Sequence, residues 1–317
     1  MPLDPFARRF LELARATAEG RADEPSIADM RRTTEALAAF GAPERARPVG
    51  TSDTTLGEGP SAIPIRIYIP ASAPPEASAG LIYIHGGGWV SGDLDTHDPL
   101  CRALADEGRC RVISLDYRLA PEHRFPAAID DCRTAFDLVI SQAKRLSLDP
   151  QRIGVAGDSA GANLAAVLCQ ERRSAKPAIA LQLLLCPVLD AIGRTASRSA
   201  LAKNYFIEER TMARYFESYR IDGVEPDDPG VSPLRTADLS GLPKTRIHTA
   251  EFDPLRDEAI LYAERLSEAG VDARVTVHSG MIHHFYGLSA VVPYARIGLS
   301  AIGADIRDAL GESAPRS

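Results

Sequence analysis

The 317-residue chain is short of several things, beginning with cysteine, of which it has five. Cys101, Cys110, Cys132, Cys169 and Cys186 are odd in number and include no C-x-x-C, which argues against a framework of disulfide staples. They fall within apolar helix or strand patterns, so they read as free thiols in a reducing compartment. Long apolar runs are also missing. The most apolar stretch, 178–189, is broken by Gln182 and Pro187 and falls well short of the roughly 20 residues that cross a bilayer. The opening MPLDPFARRF carries Asp4 and two prolines and lacks the apolar core of a secretory signal. The expectation is a cytoplasmic protein with no stable membrane insertion. Positive charge is not in excess either: 36 basic against 43 acidic residues leave a net charge of −7. The basic residues occur as short pairs such as Arg8-Arg9 and Arg172-Arg173, which leaves no footprint for a nucleic-acid partner.

What is present is the mix of an ordinary folded enzyme-sized protein, 45% hydrophobic and 25% charged. Short apolar runs at 81–84, 111–115, 153–156, 181–186, 246–250 and 274–277 alternate with helical patterns, the texture of βαβ units around a parallel sheet. Ala259, Tyr262, Ala263 and Leu266 share one helical face, and Gly270 beyond them is a stop signal. The fold class expected is α/β, a mostly parallel sheet covered by helices on both faces. Two stretches interrupt the alternation. Residues 1–45 hold only helical patterns (6–17 and 27–40), and 190–225 hold a helical insertion in which Met212, Tyr215, Phe216 and Tyr219 share a face. That stripe either packs on the body of the protein, roofs a pocket at the strand ends, or does both. Residues 70–80 read as a Pro/Ala-rich surface loop.

Gly157-Asp158-Ser159-Ala160-Gly161 is the one G-x-S-x-G match in the chain. Ile153 and Val155 alternate in a strand just before it, and a helical pattern follows it. Strand, sharp turn and helix are what lifts a nucleophilic serine clear of a sheet. His85-Gly86-Gly87-Gly88-Trp89 follows an earlier strand, and consecutive glycines let backbone N–H groups converge on a developing oxyanion. Neither G-x-G-x-x-G nor a P-loop can be aligned there, so a phosphate cradle is disfavoured.

A serine nucleophile needs a base, and after an elbow of this kind the order is serine, acid, histidine. His248 lies inside a strand and His278 ends one. His283 and His284 lie just past a strand, where a base can reach the serine, and local physics does not choose between them. Among the acids Glu251, Asp253 and Asp257, Pro254 holds Asp253 extended at a strand end, while Asp257 opens a helix as a dipole partner. No H-E-x-x-H occurs, and neither a metal nor a cofactor is expected.

These residues resemble the hormone-sensitive-lipase-like branch of the α/β-hydrolases, bacterial esterases with an HGGG motif. The similarity spans about residues 80–290 and includes His85 to Trp89, the stretch from Asp116 to Pro126, Gly157 to Gly161, Asp253 to Asp257 and Gly280-Met281-Ile282-His283. The resemblance implies a serine carboxylesterase acting on short- to medium-chain esters of small molecules. Ser159 is then the nucleophile, His283 the base and Asp253 the acid, with Gly86, Gly87 and Ala160 as the oxyanion hole. It also implies a single hydrolase domain over 1–317, with a cap from 1–45 and 190–225 on a core of 46–189 and 226–317. Hydrolysis of another activated acyl compound such as an arylformamide, or small-molecule binding without catalysis, are the alternatives, and a homodimer is left open. Two positions depart from the pattern: Ala162 where a second glycine is common, and His284 where a small residue is common.

Overall fold

The computed structural model describes residues 1–18, 25–43 and 47–311. In chain order the elements are α1 (Pro5–Ala18), α2 (Ile27–Gly41), β1 (Val49–Leu56), β2 (Ile63–Pro70), β3 (Ser78–Ile84), α3 (Asp98–Gly108), β4 (Arg111–Leu115), α4 (Ala127–Ser141), β5 (Leu148–Asp158) and α5 (Ala160–Glu171). They continue with β6 (Leu181–Leu185), α6 (Ala196–Ala200), α7 (Glu209–Tyr219), β7 (Thr245–Phe252), α8 (Arg256–Glu268), β8 (Ala273–Ile282) and α9 (Tyr294–Leu310). Among the described residues the strands form one eight-stranded sheet in the order β1-β2-β4-β3-β5-β6-β7-β8. The β1–β2 and β2–β4 pairs are antiparallel and the remaining pairs parallel.

The central strands β3, β4 and β6 and the second half of β5 are buried on both faces, which is why they read as apolar runs. In β3 Leu81 and Tyr83 enter one core while Ile82 and Ile84 enter the other. One core is completed by α4, α5 and α8, through residues such as Phe136, Leu164 and Tyr262. The other is completed by α1, α3 and α9, through Phe10, Leu104 and Ile302. Burial at this density, at roughly 1.5 to 3 kcal/mol for each large apolar side chain, is what fixes the strand ends in space.

Several expectations change in detail. The strands β1 and β2 were not anticipated. Only the two end residues of β1 are buried, so it shows no alternation. In β2 the isoleucines at 63, 65, 67 and 69 do alternate, but Pro64 and Pro70 argue against a strand away from an edge. The surface loop expected at 70–80 gives way to β3 from Ser78. His278 lies within β8, which runs on to Ile282, so His283 follows the strand directly. Residues 19–24 and 44–45 of the expected cap, and 46 and 312–317 of the expected core, lie outside the described residues.

Candidate active site

Strand β5 ends at Asp158 and α5 begins at Ala160, so Ser159 alone makes the turn between them. Its φ of 51° and ψ of −116° are a conformation an L-residue adopts only when its surroundings enforce it. Hydrogen bonds from Ser159 N to Leu185 O (2.9 Å) and from Asn163 N to Ser159 O (3.1 Å) hold it. The flanking glycines are required by close approach. A Cβ on Gly157 would stand 2.4 Å from the Gly161 backbone, and one on Gly161 would stand 2.1 Å from the carbonyl oxygen of Ile84. The extra bulk of Ala162 is accommodated, since its side chain is fully buried in the core. Ala160 N lies in the first turn of α5, where amides have no intrahelical partner and the helix dipole is positive.

Strands β7 and β8 deliver the other two groups. His283 Nε2 lies 3.2 Å from Ser159 Oγ, and His283 Nδ1 lies 2.8 Å from Asp253 Oδ2. Asp253 is itself oriented, its Oδ1 accepting the Leu255 amide at 2.9 Å. The three are nearly sealed from solvent, Ser159 being 8% exposed, His283 4% and Asp253 0%. Burial pushes the His283 imidazole down, but the charge and hydrogen bond of Asp253, helped by Asp158, outweigh it and hold His283 above its ordinary value.

The structure separates the alternatives that local physics left open. His284 has a φ of 62°, and its Nδ1 lies 3.8 Å from Asp158 Oδ2. Glu251 accepts the Gly280 amide at 2.7 Å, and Asp257 accepts the Ser197 amide at 2.7 Å, so both serve the scaffold. One arrangement was not visible in the sequence: a ligand atom of Cys186 lies within 4.8 Å of those of Asp253 and His283, a set that could geometrically hold a metal. A cation there would displace the proton shared by His283 and Asp253, so the set is incompatible with His283 acting as base.

The glycine loop departs from expectation at one residue. Gly86 N donates to Asp158 Oδ1 at 2.8 Å, so its N–H is already engaged and is not available to an oxyanion. The next two residues, Gly87 (φ 111°) and Gly88 (φ 64°), turn the loop. The helical insertion packs on it. Tyr215 occupies the space a Gly88 side chain would need, a Cβ there standing 2.2 Å from the ring, and Tyr219 stacks on Trp89 at 4.5 Å. Phe206, from the same insertion, stacks on His283 and His284 at 6.2 and 6.3 Å and meets Phe10 of α1 at 5.7 Å. Met212 and Phe216 complete the stripe and are half-buried.

A family model described as the alpha/beta hydrolase fold matches residues 81–287, the span that carries the serine, the acid, the histidine and the glycine loop. The chain belongs to the α/β-hydrolase family. Within it this α/β-hydrolase is of the hormone-sensitive-lipase-like kind. It is similar to the ethyl acetate hydrolase of Pseudomonas putida, 35% identical over 297 residues, covering 92% of this chain and 86% of that protein. It is 40% identical over 259 residues to carboxylesterase NlhH of Mycobacterium tuberculosis, covering 80% and 81% of the two chains. A solved ester hydrolase from the metagenome of Lake Arreo superimposes with a TM-score of 0.92 at 37% identity, over 98% of this α/β-hydrolase and 100% of that chain.

Proposed function

We propose that the protein is a serine carboxylesterase acting on short- to medium-chain acyl esters of small molecules. Ser159 is the nucleophile, His283 the general base and acid, and Asp253 the group that orients the imidazole and stabilises its charged form. The observation that carries this reading is the unbroken chain from Ser159 Oγ to His283 (3.2 Å) and on to Asp253 (2.8 Å). The names of the relatives above support the choice of an ester as substrate.

In acylation Ser159 Oγ attacks the ester carbonyl as its proton passes to His283 Nε2. The amides of Gly87, Gly88 and Ala160 receive the oxyanion, Gly88 taking the place first assigned to Gly86. Each such donor is worth roughly 2.7 to 4 kcal/mol in the transition state. His283 then returns the proton to the leaving alcohol, and water repeats the sequence on the acyl-enzyme. These steps require no cofactor. The described residues of 1–45, together with 190–225, act as a cap over this centre, a reading supported by the contacts of Phe10, Phe206 and Tyr215. No described helix is long and apolar enough to cross a membrane, and the reading takes the protein as cytoplasmic, working alone or as a homodimer.

Hydrolysis of p-nitrophenyl esters from acetate to long-chain acyl, by the protein and by Ser159→Ala side by side, tests the reading. Short chains should be preferred and the variant should lose turnover by about 10⁴-fold or more. A folded protein no faster than the variant on any chain length would overturn it.

A further inference from the structure

Asp158 ends β5 directly before the nucleophile, and its carboxylate is buried, yet it belongs to neither the triad nor the oxyanion donors. A buried carboxylate is strongly disfavoured unless its oxygens are satisfied. Here Oδ1 accepts the Tyr83 hydroxyl at 2.5 Å and the Gly86 amide at 2.8 Å, with His97 Nε2 at 3.5 Å. Oδ2 faces His284 Nδ1 at 3.8 Å. Burial pushes the group up, but His97 and His284 outweigh it and hold Asp158 well below the usual carboxylate range, so it is an anion.

An anion beside a centre that must accumulate negative charge opposes catalysis if it does nothing else. Its position against the glycine loop supplies the compensating role. The carboxylate packs flush on the loop, since a Cβ on Gly86 would stand 2.4 Å from Oδ2. The remaining anchors of the loop act on carbonyls: Tyr117 donates to His85 O at 2.9 Å, and Val90 and Ser91 amides donate to Gly87 O at 3.2 and 3.0 Å. The Gly86 amide is the point at which the loop is tied to β5, one peptide before the two amides assigned above to the oxyanion.

We propose that Asp158 is a positioning residue for the oxyanion loop, accepting the Gly86 amide so that the Gly87 and Gly88 amides are held at the angle the transition state needs. His97 and His284 brace the carboxylate, which gives the unusual second histidine of the pair a place in the machinery. The inference rests on the esterase reading above.

The test compares Asp158→Ala, Asp158→Ser and Asp158→Asn on p-nitrophenyl acetate and with an alkyl trifluoromethyl ketone as inhibitor. With that ketone the Ser159 Oγ–carbon bond forms, the carbonyl π pair moves to oxygen, and the hydroxyl proton passes to His283, so Ki reports oxyanion stabilisation in the molecules that remain active. Alanine and serine cannot reach Gly86. They should lower kcat about 10- to 100-fold with KM within about 3-fold, and raise Ki by a similar factor to the fall in kcat. Asparagine keeps an acceptor oxygen for Gly86 and should stay within about 3-fold on both measures. Should alanine fail to fold, serine against asparagine gives the same contrast. A fall in kcat with Ki unchanged, or an asparagine variant as impaired as the alanine or serine variant, would overturn the proposal. A wild-type enzyme insensitive to the ketone, or an active Ser159→Ala, would instead overturn the esterase reading itself.

Discussion

Strands β7 and β8 contribute to two histidine–carboxylate relays, the second completed by Tyr294 and Asp305 of α9. One runs from Asp253 through His283 to Ser159. The other runs from Asp305, 3.1 Å from His248 Nε2, through His248 Nδ1 and His278 Nε2 at 3.0 Å, to the Tyr294 hydroxyl at 3.2 Å from His278 Nδ1. Burial disfavours the imidazolium in both. In the first, a carboxylate touches the imidazole directly and reverses the effect, so His283 is more basic than an ordinary histidine. In the second, His278 touches an imidazole and a phenol, and burial together with His248 leaves its pKa at about 3. Burial with hydrogen bonds is therefore not what makes a base. Direct contact with an anion is, together with a hydroxyl held clear of the sheet by a strained turn.

The largest effects should come from breaking the first relay. His283→Ala should abolish turnover by about 10⁴-fold or more, and Asp253→Asn should come close to that, because the asparagine favours the wrong tautomer. His278→Ala should leave kcat within about 3-fold and lower stability by roughly 2 to 4 kcal/mol. Ester turnover and thermal melting on the same preparations would show the split, and a His278→Ala enzyme as dead as His283→Ala would erase the distinction between the relays.

A smaller effect sharpens the comparison through pH. kcat/KM should rise with pH through a midpoint above the ordinary histidine value of about 6.5, because His283 must be neutral to accept the proton. A raised folded-state value means that His283 contributes its full stability below about pH 6.5 and loses it as pH rises through the folded value. His278, with a depressed value, behaves oppositely: its contribution is complete above about pH 6.5 and falls away as pH drops toward 3. Following both imidazoles by NMR titration, beside the rate profile, should show one resonance moving with the rate and the other still between pH 5 and 8. Two resonances titrating together would break the assignment.

A modest effect is expected at His284. His284→Ala should keep turnover within about 10-fold of wild type, because the residue braces Asp158 and does not touch the serine. Full loss of activity on the ester series would move the base from His283 to its neighbour.

The two relays also mark how far the sequence could be read. The first was legible because each member stands at a strand end with a local reason: glycines around Ser159, Pro254 after Asp253, and a loop signal around His283. The choice of His283 over His284 came from family resemblance alone. In the structure it rests on backbone, since β8 runs to Ile282 and the left-handed conformation of the next-but-one residue separates the two rings. The second relay was not legible, because it joins residues 248, 278, 294 and 305 through a packing of β7, β8 and α9 that no local pattern encodes. The same limit explains the glycine loop. Consecutive glycines announce amides, but which amide is consumed by Asp158 depends on the register of β3 against β5, which places Ile84 beside Gly157. The antiparallel edge was missed for a simpler reason: β1 turns nearly all its side chains to solvent.

The close approach of Gly161 to the Ile84 carbonyl ties the nucleophile to the central strands and not to any surface loop. Mutational drift should then be unevenly tolerated across the molecule. The turn around Ser159 has no room for one added methyl group, whereas Phe206, Tyr215 and Tyr219 belong to an insertion outside the sheet whose rings lie over the site. A lineage built on this frame can change the esters it accepts while the reacting atoms stay where they are, and a library aimed at new specificity belongs in 190–225, with 157–161 left untouched.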